Sequence, residues 1–116
     1  MFIVNENDFE YRFGNSGPKY LMKGPRLNFA LVVFNPGEDF QAHKHEIMEE
    51  NFYILEGKID IVVDGKKHVL SKGDFINIEP NEEHYVINPY NESVKMVSVL
   101  GPHQEVDKIE VENPKY

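Results

Sequence analysis

At 116 residues and 13.5 kDa, with 41% hydrophobic and 28% charged residues, the chain is sized for one domain with its own core and is too apolar to be disordered. Twelve Lys and Arg against twenty Asp and Glu leave a formal charge of −8 with no basic block, which argues against nucleic acid and anionic membranes as partners. There is no cysteine, so a disulfide framework, a thiolate metal site and a cysteine nucleophile are excluded, and any metal must be held by His and carboxylate.

Taken in order, residues 1–8 show neither a basic region nor a long apolar stretch, so a cytoplasmic protein without signal peptide or transmembrane helix is expected. Residues 1–26 are irregular, broken by Gly14, Gly17-Pro18 and Gly24-Pro25. From there short apolar runs alternate with turn residues every eight to twelve positions, the spacing of antiparallel strands. The runs cover 27–34, 40–45, 51–55, 58–63, 66–70, 75–79, 84–87 and 94–100, which predicts about eight strands. Asp64-Gly65 between two of them is a strong hairpin signal. The tail from Gly101 is polar apart from Val106, Ile109 and Val111, and both ends are expected to pack as flanking strands or arms. An all-β sandwich or barrel follows, a single domain over 1–116 with its core at about 27–100.

Three of the five histidines lie in two short segments. His43 and His45 are two apart, so in a strand their imidazoles project from one face while Lys44 points away. Taken alone, a His-x-His pair is most simply an exposed strand face. The carboxylates of the following Glu46-Ile47-Met48-Glu49-Glu50, and His84 at the start of another strand, change that reading. Imidazole and carboxylate together suit a divalent transition ion: Fe, Mn, Zn, Ni, Co or Cu.

These residues carry a resemblance. Gly37, His43, His45, Glu50 and Gly57, separated by five, one, four and six residues, are similar to the first motif of the cupin superfamily, and the segment from Gly73-Asp74 through Pro80 to His84 and Asn88 resembles the second. The family usually has Pro where Glu79 stands and Gly where Asn81 stands, and Asn tolerates positive φ almost as Gly does. What the resemblance implies is a double-stranded β-helix (jelly-roll) barrel of six to eight strands, one metal ion inside its open end, ligands matching His43, His45, Glu50 and His84, and, as in many small cupins, a homodimer. Strand parity alone would put Glu49 on the face of His43 and His45. The family register selects Glu50, which requires a bend or bulge between Glu46 and Glu49.

Beyond the ligands, Gln41 shares the parity of His43 and is a candidate for the same cavity. His103 is a candidate catalytic group if it overhangs the barrel mouth, its default being an exposed loop position. His68 reads as solvent-facing, and Phe29, Phe52, Tyr53, Phe75 and Tyr85 as core aromatics that also line the pocket. No phosphate loop, nucleotide fingerprint or nucleophile elbow is present. By analogy with the family, the expectation is a metal-dependent enzyme on a small oxygen-rich molecule (a sugar, sugar acid or keto acid) acting as isomerase, lyase or dioxygenase. The alternative is a non-catalytic module in which the metal anchors a sugar or carboxylate.

Overall fold

The computed structural model describes residues 1–115. A 3₁₀ turn at Glu6–Asp8 precedes ten strands: β1 (Gly17–Lys23), β2 (Asn28–Phe34), β3 (Asp39–Lys44), β4 (Glu49–Glu56), β5 (Lys58–Val63), β6 (Lys66–Ser71), β7 (Phe75–Ile78), β8 (His84–Ile87), β9 (Val94–Gly101) and β10 (Ile109–Glu110). All pairings are antiparallel, and they make two five-stranded sheets, β1-β2-β9-β4-β7 and β10-β3-β8-β5-β6. Eight strands fall on the eight apolar runs. The other two come from the arms, each added to a sheet edge: β1 beside β2 and β10 beside β3.

Alternation decides which face each strand buries. Along β9, Val94, Met96, Ser98 and Leu100 are buried, while the residues between them are only partly covered on the outer face. Phe34, Phe52, Ile54, Ile59, Ile61 and Met96, from four strands of both sheets, fill the space between the sheets. The turns have the residues their geometry requires. Asp64 and Gly65 both have positive φ, 47° and 83°, and join β5 to β6 as a two-residue hairpin. Gly57 is irreplaceable, because a Cβ there would lie 2.6 Å from the Ser93 carbonyl oxygen. Asn81 takes φ 69°, so it does the work of the family's glycine.

The two ends of β8 differ in kind. Past Ile87, the fully buried Asn88 donates to the carbonyls of Phe34 and Glu92 and accepts from the Tyr90 N–H, closing the barrel with satisfied hydrogen bonds. The opposite end, where His84 begins the strand, opens into a cavity. Two aromatic expectations are corrected. Tyr53 and Phe75 face each other across β4 and β7 on the outer face of their sheet, 44% and 62% exposed, and neither is in the core nor lines that cavity.

Candidate metal centre

Each of the four clustered residues arrives by a different route. His43 lies on β3 directly opposite His84 on β8, so the register of one sheet alone brings two imidazoles together, their centroids 4.4 Å apart. His45 follows the end of β3. The chain then bends at Glu46 and Ile47 and crosses to the other sheet, where Glu50 is the second residue of β4. That bend resets the parity. Glu49 is exposed and Glu50 is buried, facing the histidines.

The donor atoms converge. The four ligand atoms offered by His43, His45, Glu50 and His84 lie within 4.8 Å of one another, and all four residues are buried. His84 Nε2 is 2.9 Å from Glu50 Oε1, with His45 Nε2 at 3.5 Å and His43 Nε2 at 4.0 Å. Ser98 Oγ donates to the other carboxylate oxygen at 3.1 Å.

The outer nitrogens fix the tautomers. Nδ1–H of His43 donates to the Gln41 carbonyl (2.7 Å), that of His45 to the Asp107 carbonyl (2.5 Å) and that of His84 to the Glu82 carbonyl (3.0 Å). A carbonyl has no proton to give, so in each neutral ring the lone pair sits on Nε2, aimed at Glu50. Burial pushes His43 down to about 4, which keeps it neutral near pH 7. For His45 burial also pulls downward, but attraction to Glu50 and the Asp107 carbonyl outweighs it and the net direction is up. Burial alone would raise Glu50, yet His45 and His84 hold it well below the carboxylate range.

This arrangement fits a cation. His45 Nε2 is buried with no hydrogen-bond partner, and lone pairs facing a carboxylate repel one another unless a positive charge lies between them. Two ligands of one ion are at most roughly 4.4 Å apart, twice a bond of ~2.0–2.2 Å, so the cluster needs only a slight contraction to enclose one. Nδ1–H bonded to carbonyl is also the usual outer support of a metal-ligating histidine.

A cavity of about 110 Å³ opens on the cluster, and Tyr20, Arg12 and Lys108 stand in its wall with Phe40, Phe52 and Leu100. Gln41 does not line it. The register shifts between Phe40 and His43, which breaks the expected parity, and the Gln41 amide donates instead to the Val111 carbonyl at 2.7 Å. His103 is not in the wall either. Its ring packs over Gly24 and is held between Asn28 Oδ1 (2.8 Å) and Glu105 Oε1 (3.2 Å).

The sequence reading missed several residues. Ser98 could have been found from the alternation of β9. Tyr20, Arg12, Lys108 and Asp107 lie in the arms and carry no local signal. Asp107 does two things at once: its carbonyl holds His45, and its carboxylate accepts the N–H groups of Glu46, Ile47 and Met48 at 2.8, 3.0 and 2.8 Å. Asn81 N–H donates to the His45 carbonyl at 2.6 Å, tying the turn before His84 to the same residue.

Two facing antiparallel sheets with three imidazoles and one carboxylate at the open end define a double-stranded β-helix barrel with a His₃Glu cluster. The model of the cupin domain family matches residues 30–100, well over half the chain, and the chain belongs to the cupin family. Among curated proteins it is 31% identical over 93 residues to an uncharacterized protein of Methanocaldococcus jannaschii, covering 78% of this chain and 74% of that one. It is also 29% identical over 101 residues to the pectin degradation protein KdgF of Dickeya dadantii, covering 87% and 91%. Among solved structures, a Klebsiella pneumoniae protein with a double-stranded β-helix domain superposes with a TM-score of 0.81 at 19% identity, covering 97% of this chain and 99% of that one.

Proposed function

We propose that the protein is a metal-dependent enzyme that binds one divalent transition ion through His43, His45, Glu50 and His84 and acts on a small oxygen-rich molecule by isomerase, lyase or dioxygenase chemistry. The observation that carries this reading is the convergence of three Nε2 atoms on Glu50, one of them without a hydrogen-bond partner, at the base of an open cavity. A bound ion there supplies Lewis-acid polarisation of a substrate oxygen. The chain supplies the surroundings. Phe40, Phe52 and Leu100 exclude water, and Tyr20, whose phenol is held above its ordinary value by burial and by the charge of Glu50, is a neutral proton donor in the wall. The relative named for pectin degradation supports a sugar-derived acid among the candidates.

Elemental analysis of protein purified without a metal-affinity tag is expected to find about one ion per chain. Turnover on a panel of uronates, aldoses and keto acids, with and without oxygen, then separates the chemistries. Stoichiometric metal with no turnover on the panel would favour the non-catalytic module. The reading also includes a homodimer, supported by the outer face of the β1-β2-β9-β4-β7 sheet, where exposed Tyr53 and Phe75 adjoin the half-buried Leu55, Val97 and Val99. Sedimentation at micromolar concentration is expected to give twice the chain mass.

A further inference from the structure

The cavity wall has an unusual charge for this protein. The chain carries −8 overall, yet the acidic residue in the wall is Glu50, already engaged by the histidines and Ser98, while two cations, Arg12 and Lys108, stand in the same wall. Among the described residues neither cation is paired in a salt bridge, although each side chain is exposed enough to reach one. The charge of Arg12 acts on Tyr20 and that of Lys108 on His43, so both cations, contributed by opposite arms of the chain, are felt in the cavity. In a cleft with low-dielectric walls, unpaired charge of one sign concentrates ligands of the other.

The rest of the wall restricts the ligand further. Ala30, Val32, Phe40, Phe52, Val86 and Leu100 are apolar, and the wall contains no Asn or Gln. A neutral polyhydroxylated sugar would bury several hydroxyls against carbon beyond those that Arg12, Tyr20, Ser98 and Lys108 can meet, at a cost for each. A short acid would not. Its carboxylate can be taken by Arg12 and Lys108 and its one further oxygen can face the His₃Glu cluster, so every polar atom has a partner in a cavity of about 110 Å³.

We propose that the ligand of this cavity is a compact carboxylic acid with one additional oxygen, of the 2-hydroxy or 2-oxo acid class, whose carboxylate is clamped between Arg12 and Lys108. The proposal rests on the metal-site reading for the second oxygen, but the clamp itself belongs to the chain. Lactate and lactamide differ in the charge that the clamp reads and are nearly equal in size. Both are titrated calorimetrically into wild-type protein, metal-loaded and metal-free, and into the Arg12→Gln, Lys108→Gln double variant, with glucose as the neutral polyol. Wild type is expected to bind lactate at least about tenfold more tightly than lactamide or glucose, a difference of about 1.4 kcal/mol. The double variant should lose that preference while still binding the metal at least as tightly as wild type, since two positive charges near the ion are gone, and Arg12→Lys should retain much of the preference. Equal affinity for lactate and lactamide, tighter binding of glucose, no binding of lactate, or a double variant that keeps the preference would each overturn the clamp. Absence of metal uptake by wild type would sink the metal reading instead, because lactate binding to the metal-free protein still reads Arg12 and Lys108.

Discussion

At the scale of single residues, the cluster is balanced so that losing one member exposes the others. Glu50 and His84 are 2.9 Å apart in a buried site, and His84 lies opposite His43 across the β3–β8 pair. His84→Ala should therefore lower metal affinity by orders of magnitude although residue 84 is far from residue 45 in sequence, as a competition titration with a chelating dye would measure. Retention of the ion at wild-type affinity would remove His84 from the site. Acidification acts on the same residues. In the metal-free protein His43 is held near 4 against an ordinary 6.5, and Glu50 is held below 4.5. Where the folded value lies below the unfolded one, the unfolded chain takes the proton first, so the stability contributed is present above the unfolded value and is lost as pH falls. His45, shifted upward, has the opposite sign. Its contribution is fully present below 6.5 and is lost as pH rises through its folded value. Between pH 6 and 4 the loss at His43 is therefore unopposed, and the Glu50 loss adds below about 4.5. The melting temperature of metal-free protein should fall steadily over this range, and a flat profile would contradict the neutral, buried His43.

At the scale of elements, the C-terminal arm holds the bend between β3 and β4. Ile109 and Glu110 pair with Lys44 and His43, the Val111 N–H donates to the Ala42 carbonyl, and Asp107 caps three N–H groups of the bend that separates His45 from Glu50. Asp107→Ala should leave a cooperatively folded barrel with metal affinity lowered about 10–100-fold, the range for residues that support ligands from behind. Asp107→Asn, which keeps one oxygen acceptor, should fall between, and affinities equal to wild type in both variants would detach the arm from the site. The arms also mark the limit of what could be read in the sequence. Alternation and turn residues revealed the eight barrel strands because each is flanked by its own punctuation, and motif spacing revealed the cluster because strand register converts spacing into position. Nothing local marks β10, whose two residues are exposed and owe their strand state to pairing with β3. Gln41 failed for a related reason: parity holds only in an unbroken ladder, and the shift between Phe40 and His43 is invisible in a string of residues.

At the scale of the whole molecule, the apolar core adjoins the cluster, sharing Phe52 with the cavity wall, but is held by its own side chains. Phe34, Phe52, Ile54, Ile59, Ile61 and Met96 pack between the sheets without any of the four clustered residues. A core of that kind does not depend on an ion, unlike that of a zinc-finger-sized chain. The His43→Ala, His45→Ala double variant, and wild type stripped with chelator, should therefore keep a β-rich spectrum and a cooperative melt. An ion at a hundredfold excess over its dissociation constant adds about 2.7 kcal/mol by linkage, which for a domain of this size moves the melting temperature by roughly ten degrees and does not decide whether it folds. An unfolded stripped protein would make the ion structural and weaken the case for catalysis.

The neighbouring positions of Asp107 and Lys108 tie two properties to one stretch of chain. Asp107 latches the bend and the His45 ring from outside the barrel, while Lys108, the next residue, stands in the cavity wall. The barrel proper contributes the four donors, and the tail contributes both the brace behind one of them and a charge in front of it. A change in length or direction of this tail would loosen the cluster and recharge the entrance in a single step, with every donor residue left in place. If the proposed centre and clamp hold, selectivity and retention would be set together by a segment outside residues 30–100, which the family pattern covers. Two barrels with the same donors and different tails would be expected to differ in both.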